Sequence, residues 1–189
     1  VEDPDGGLRS QPTGCRWPVV DGRPSFLPPG ERLEVFPASH VGNPLPTRAR
    51  ELVAGCSGPV LHLSGGGTAV GDPRVVELDG ALFGPTDVVG DAHRLPFGDG
   101  LFDLVVVMNA FEHYRAPGVV VDEIRRVLRP GGLVFVHTAF LQPLHEAPRH
   151  YFNCTRFGLE EWFTPFETVD LRVSDNFHPG FTLAWLASE

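Results

Sequence analysis

The residues best placed for chemistry in this chain stand at the ends of apolar runs. Val60-Leu-His-Leu63 leads into Ser64-Gly-Gly-Gly67, a cluster of glycines where backbone can approach a ligand closely. Val75-Val-Glu-Leu-Asp79 and Thr86-Asp-Val-Val-Gly-Asp91 each end in a carboxylate, and Phe102-Asp-Leu-Val-Val-Val-Met108 stops at Asn109. Short runs of this kind read as buried parallel strands. Their polar ends then fall along one edge of a sheet, the edge at which open α/β sheets bind ligands. A second concentration follows. The stretch Leu141-Gln-Pro-Leu-His-Glu-Ala-Pro-Arg-His-Tyr-Phe-Asn153 carries His145, Glu146, His150 and Tyr151, stiffened by Pro143 and Pro148. An imidazole takes a proton from a hydroxyl near neutral pH, so these residues could serve an acceptor as base or binder.

The elements that must position these groups are legible around them. Strands are expected near 59–63, 74–78, 86–90, 102–108 and 133–138. Residues 117–129 give the clearest helix, with Pro117 in its first turn and an apolar stripe from Val120, Val121, Ile124, Val127 and Leu128. Pro130-Gly-Gly132 ends it. Thr47 is expected to cap a short helix through Ala54, and Thr155 a helix over 156–163. Glu167 to Val173 alternates as a strand, and Phe181 to Ser188 reads as a last short helix. Ahead of the core, residues 1–14 are expected to be poorly ordered, 17–27 to form a small hairpin around Asp21-Gly22, and the proline-rich 28–46 to run over the surface. The division is therefore an N-terminal arm or lid over 1–46 and one α/β domain over 47–189.

Bulk properties narrow the classes. A length of 189 residues suffices for one domain with a full core, and a formal charge of −9 argues against a phosphate-backbone partner, so no nucleic acid is expected. No apolar run reaches the length of a membrane span and no signal-peptide pattern opens the chain, so no membrane partner is expected either. Cys15, Cys56 and Cys154 are far apart and odd in number, which supports neither a zinc ribbon nor a disulfide framework. A reducing cytoplasm is the expected home. Arg125, Arg126 and Arg129 read as a solvated helix face beside Asp122 and Glu123.

In order and spacing, three stretches resemble the class I S-adenosylmethionine-dependent methyltransferases, in the short, type 11-like small-molecule group. They are Asp91-Ala-His-Arg-Leu-Pro-Phe-Gly-Asp-Gly-Leu-Phe-Asp103, Asn109-Ala-Phe-Glu-His113 and Glu123-Ile-Arg-Arg-Val-Leu-Arg-Pro-Gly-Gly132. The resemblance covers roughly residues 59–165. It implies a Rossmann-like, mostly parallel sheet flanked by helices, here shortened. It also implies S-adenosylmethionine as cofactor and methyl transfer to a small-molecule acceptor, such as O-methylation of a natural product or sugar. The implied cofactor residues are His62, Ser64, Gly65 and Gly66 for the methionine half, Asp79 for the ribose hydroxyls, Asp91 with the Ala92 amide for the adenine, and Asn109 where cofactor and acceptor meet. Glu77 is the second candidate for the ribose. Asp103 sits at the opposite edge and reads as structural, and His113 as a packing or capping residue.

Two departures from the family pattern stand out. His62 occupies the place of an acid, where it could act only as a neutral acceptor, and Ser64 replaces the first glycine. Only Thr68 to Arg74 separates the glycines from the next strand, too short for the usual helix, and the arm is expected to cover that flank. These departures keep open a non-catalytic or repurposed member of the fold. A metal-dependent enzyme built on the 137–150 histidines is a further alternative. His145, Glu146 and His150 are ordinary ligand types, but their spacing matches no metal motif and no metal site is assigned. The resemblance further implies an antiparallel strand pair after the last helix, so a longer chain is expected.

Overall fold

The computed structural model describes residues 7–173 together with Gly180, Leu183, Ala184 and Ala187. Two short antiparallel ribbons open the chain: β1 (Leu8–Arg9) with β2 (Arg16–Trp17), and β3 (Val19–Val20) with β4 (Arg23–Pro24). The second is the hairpin expected around Asp21 and Gly22, both at positive φ (50° and 77°). The first corrects the expectation of disorder up to residue 14, because Leu8 and Arg9 pair with Trp17 and Arg16.

After the arm come α1 (Thr47–Gly55), β5 (Val60–Leu63), β6 (Val75–Asp79), β7 (Val88–Val89), β8 (Phe102–Met108), α2 (Pro117–Val127), β9 (Leu128–His137) and α3 (Arg156–Trp162). The five later strands form one parallel sheet in the order β7-β6-β5-β8-β9. The order reverses between β5 and β8. That reversal opens a crevice beyond the carboxyl ends of these two strands, where ligands bind in doubly wound sheets. Helices cover both faces, as the Rossmann-like class requires.

The central strands β5 and β8 are apolar but for His62 and Asp103, because both faces are buried. Leu61, Leu63, Val105 and Val107 pack with Val120, Val121, Ile124 and Val127 of α2 on one face. Val60, Leu104, Val106 and Met108 meet Ala49 and Val53 of α1 on the other. Phe111, Trp162 and Phe163 extend the first cluster toward α3.

Four local expectations change. Pro46, not Thr47, holds the N-cap position of α1, and Thr47 instead accepts from Arg50 (3.1 Å). Helix α2 stops at Val127, because Leu128 already pairs with Phe102 as the start of β9, ahead of an irregularity at Pro130-Gly131-Gly132. Residues 167–173 form no strand. Val169 and Val173 are 80% and 91% exposed, so the alternation there has no sheet to join. Arg126 is not part of a solvated face: it bonds Glu123, Asp99 and the carbonyls of Leu95 and Phe97, pinning the 95–99 loop to α2. The helix expected over 181–188 lies mostly outside the described residues. No helix among the described residues is long and apolar enough to cross a membrane.

Candidate active site

The glycine turn leaves β5 at Ser64, whose φ of 56° and bond from its N–H to the Leu78 carbonyl (2.7 Å) turn the chain sharply out of the sheet. Its hydroxyl accepts from the Tyr114 hydroxyl at 2.8 Å. Tyr114 is buried, and burial pushes its phenol above the ordinary value, so it stays a neutral donor. Gly65 needs to be glycine for packing: a β-carbon there would lie 2.6 Å from Nδ1 of His62. Gly66 follows at φ 59° with open space beside it.

Beneath the turn His62 is fully buried, with Nδ1 2.6 Å from Glu77 Oε2. Glu77 also accepts the Val70 N–H through Oε1 (3.2 Å), so both of its oxygens serve the β5–β6 connection. His62 Nε2 has no partner among the described residues. Asp79 is the carboxylate that meets the turn. Oδ2 accepts from the Gly66 N–H (3.0 Å) and Oδ1 from the Ala81 N–H (3.0 Å). Burial raises its pKa, against the pull of these amides. Of the two acids on β6, Asp79 is therefore the one presented at the edge.

Asp91 follows β7. Its Oδ1 accepts from the His93 N–H (2.9 Å) and lies 2.7 Å from His93 Nδ1. His93 Nε2 accepts the Ala116 N–H at 3.2 Å, which fixes the proton on Nδ1. The Ala92 side chain faces the core. At the end of β8, Asn109 has φ 48° and places Oδ1 2.8 Å from His137 Nδ1. Burial lowers the His137 pKa, so the neutral ring donates to the amide oxygen. Asp103 lies at the other edge, where it accepts from the Gly58 N–H (2.9 Å) and pairs with Arg129 (3.1 Å).

The segment after β9 folds back over the residues that follow Asn109. The N–H groups of Tyr151 and Phe152 both donate to the Glu112 carbonyl (2.7 and 3.3 Å). His145 and His150 come together, ring centroids 4.5 Å apart, and His113 joins them at 4.9 and 5.8 Å. The Tyr151 hydroxyl accepts from Arg115 (3.5 Å). Glu146, expected beside the histidines, is exposed at φ 49°. Glu112, buried at 2% exposure, stands with the imidazoles instead.

The arm contacts residues of the same edge. The Thr68 hydroxyl donates to the Asn43 carbonyl (2.7 Å), and a β-carbon on Gly67 would lie 2.9 Å from Gly42 N. Glu34 pairs with Arg149 at 2.9 Å, joining arm to loop. Phe36 stacks on Phe83 at 4.3 Å. Residues 40–43 thus pack directly against the turn from Gly65 to Thr68.

Tyr114, His93, His113 and Glu112 were not assigned site roles from sequence. Tyr114 had no readable signal, since its partner is set by the fold, and His93 was legible only as a position inside the Asp91–Asp103 stretch. Glu112 and His113 lay inside the quoted Asn109–His113 stretch and were legible as a position only.

Residues 72–136 match the family model for a type 11 methyltransferase domain. That stretch runs from the β5–β6 connection into β9 and is similar to the class I S-adenosylmethionine-dependent methyltransferases, whose cofactor is S-adenosylmethionine. The probable tocopherol O-methyltransferase of Oryza sativa subsp. japonica is 32% identical over 106 residues, 51% of this chain and 29% of that protein. The ubiquinone/menaquinone biosynthesis C-methyltransferase UbiE of Burkholderia multivorans is 35% identical, across 48% of this chain and 37% of that one. The solved Haemonchus contortus phosphoethanolamine N-methyltransferase 2, in complex with S-adenosyl-L-methionine, aligns at 17% identity and TM-score 0.47, across 75% of this chain and 41% of that one. The chain spans 29% to 46% of the length of the first curated relatives it matches.

Proposed function

We propose that this protein transfers a methyl group from S-adenosylmethionine to a small molecule, with a hydroxyl oxygen as the accepting atom. The observation that carries the reading is the convergence at one sheet edge of the Ser64–Gly67 turn, Asp79, Asp91 and Asn109, with a histidine-bearing loop beside them.

The residues fit the cofactor. Asp79 is fixed by two amides and keeps carboxylate lone pairs to accept ribose hydroxyls. Gly66 leaves room above the turn, and Asp91 offers an acceptor to an amine, with the Ala92 amide next to it. His62 takes the place of the family's acid from below the turn, buried and paired with Glu77. Bound there, the cofactor supplies a sulfonium-activated methyl group, which in-line displacement moves to the acceptor. The protein's own contribution is proximity and alignment. Asn109, held by His137, marks the point where the acceptor meets the cofactor. The arm and the 141–153 loop, joined through Glu34 and Arg149, flank the crevice. His145 and His150 serve the acceptor as proton recipient or binder, with Tyr151 on the flank.

Calorimetric titration with S-adenosylmethionine and S-adenosylhomocysteine tests the reading, and the expected result is binding of both. Absence of binding at millimolar ligand would leave a repurposed member of the fold. The acceptor class is a natural product or sugar hydroxyl, to be found by screening such compounds for methyl incorporation.

A further inference from the structure

We propose that Glu112, His113 and His145 form a binding site for a divalent transition-metal ion, of the zinc class, on the acceptor side of the crevice. One donor atom from each of the three lies within 4.8 Å of the others. Two imidazoles and a carboxylate are a common ligand set for such ions, and three protein ligands leave a position open.

The surroundings of the three residues are those of ligands. His113 Nδ1 lies 2.9 Å from the Arg149 carbonyl and His145 Nδ1 lies 3.0 Å from the Pro143 carbonyl. A carbonyl only accepts, so each Nδ1 carries the proton and each Nε2 carries the lone pair. That is the arrangement by which backbone carbonyls orient metal-binding histidines. Glu112 is 2% exposed. Its Oε2 accepts the Thr138 hydroxyl at 3.1 Å, while Oε1 has no partner among the described residues. A buried carboxylate with an unsatisfied oxygen is costly, and a cation at Oε1 removes that cost. His150 has a different part. Its Nδ1 accepts the His145 N–H (3.2 Å), so Nε2 bears the proton, and that buried Nε2–H has no partner among the described residues. His150 is therefore a donor beside the ion rather than a ligand to it, placed to hold what fills the open position. The segments carrying these groups are tied together by the Glu112 carbonyl, which holds Tyr151 and Phe152. Donor atoms of a tetrahedral zinc site at bond lengths of about 2.0–2.1 Å stand a little over 3 Å apart, so the three side chains, now within 4.8 Å of one another, must draw together on binding.

The proposal deepens the methyl-transfer reading on its acceptor side: with the ion held, His145 is a ligand, and a hydroxyl on the ion sheds its proton more readily. It is tested apart from that reading, without cofactor or acceptor. Chelator-treated full-length protein is dialysed against zinc and, separately, cobalt. The expected result is one ion per chain, visible absorption bands from cobalt, and a rise in melting temperature on adding zinc. His145→Ala and His113→Gln should each weaken zinc binding at least tenfold and abolish the cobalt bands, while His40→Ala, on the exposed arm, keeps both. Glu112→Gln, a conservative change at the buried position, should also lose the bands. Should a variant fold poorly, the zinc-dependent melting shift and cobalt spectrum of the unaltered protein still decide. No binding, or binding weakened equally by His40→Ala and His145→Ala, means an adventitious ion only and overturns the proposal.

Discussion

The ring of His62 lies directly under Gly65, so that a β-carbon on Gly65 would stand 2.6 Å from the ring's Nδ1. The imidazole is locked there by Glu77 and cannot retreat, because the strand around it is fully buried. Gly65→Ala must therefore move either the turn or the ring. We expect it to destabilise the fold by about 1–3 kcal/mol, the range for overpacking a tight interior. It should also weaken S-adenosylhomocysteine binding. Urea unfolding and calorimetry check both, and unchanged values would mean that the turn is loose.

Asp79 is expected to be the ribose partner. Asp79→Ala should cost about 1.5–3 kcal/mol of S-adenosylhomocysteine affinity, the scale of hydrogen bonds to a charged group. Glu77→Gln should act on stability instead, since both Glu77 oxygens already serve His62 and Val70. The reverse pattern in calorimetry would exchange the two roles.

The loop histidines should affect turnover and not cofactor affinity. His145→Ala and His150→Ala are expected to cut turnover roughly 10²–10⁴-fold while S-adenosylhomocysteine binding stays nearly intact. Lost cofactor binding with normal turnover at saturation would place the loop on the cofactor. Unaltered kinetics in both would return it to an ordered surface.

Acid sensitivity should trace in part to His137. Burial holds its folded pKa below the ordinary 6.5, with Glu112 pulling the other way. A depressed folded value favours the neutral ring, so its contribution is complete above the unfolded pKa and is lost as pH falls from there through the folded one. Unfolding free energy should thus decline below about pH 6.5. His137→Gln should flatten that decline, and a variant with the same slope would assign the effect elsewhere.

The arm should be a working part of the site. Removing residues 1–46 takes away the Asn43 carbonyl under Thr68 and the Glu34 partner of Arg149. We expect weaker cofactor binding and faster proteolysis of the 141–153 loop. An arm digested rapidly in cofactor-saturated protein, with affinity unaffected by its loss, would contradict this.

What could be read from sequence was local. Buried parallel strands announce themselves as apolar runs, so Asp79, Asp91 and Asn109 could be set at strand ends before any coordinates. Thr155 was legible because a cap needs only its own helix: its side chain accepts from the Gly158 N–H at 3.1 Å. Groupings that span the chain were not legible. Tyr114 meets Ser64 across fifty positions, and His145 reaches Glu112 only because the loop doubles back. Glu167 to Val173 misled for the same reason: alternation marks a strand only where a partner strand waits, and Val169 and Val173 face solvent.

The bridge between Ser25 and Val89 has a consequence of its own. Strand β7 is the outermost of the sheet on that side, and its Val89 carbonyl accepts the Phe26 N–H at 2.7 Å. An uncovered rim of this kind offers backbone groups to any other chain and is a seed for aggregation. By occupying it in cis, two residues of the arm act as a stopper against edge-to-edge association. The segment that touches the glycine turn at Thr68 thus also guards the edge of the sheet.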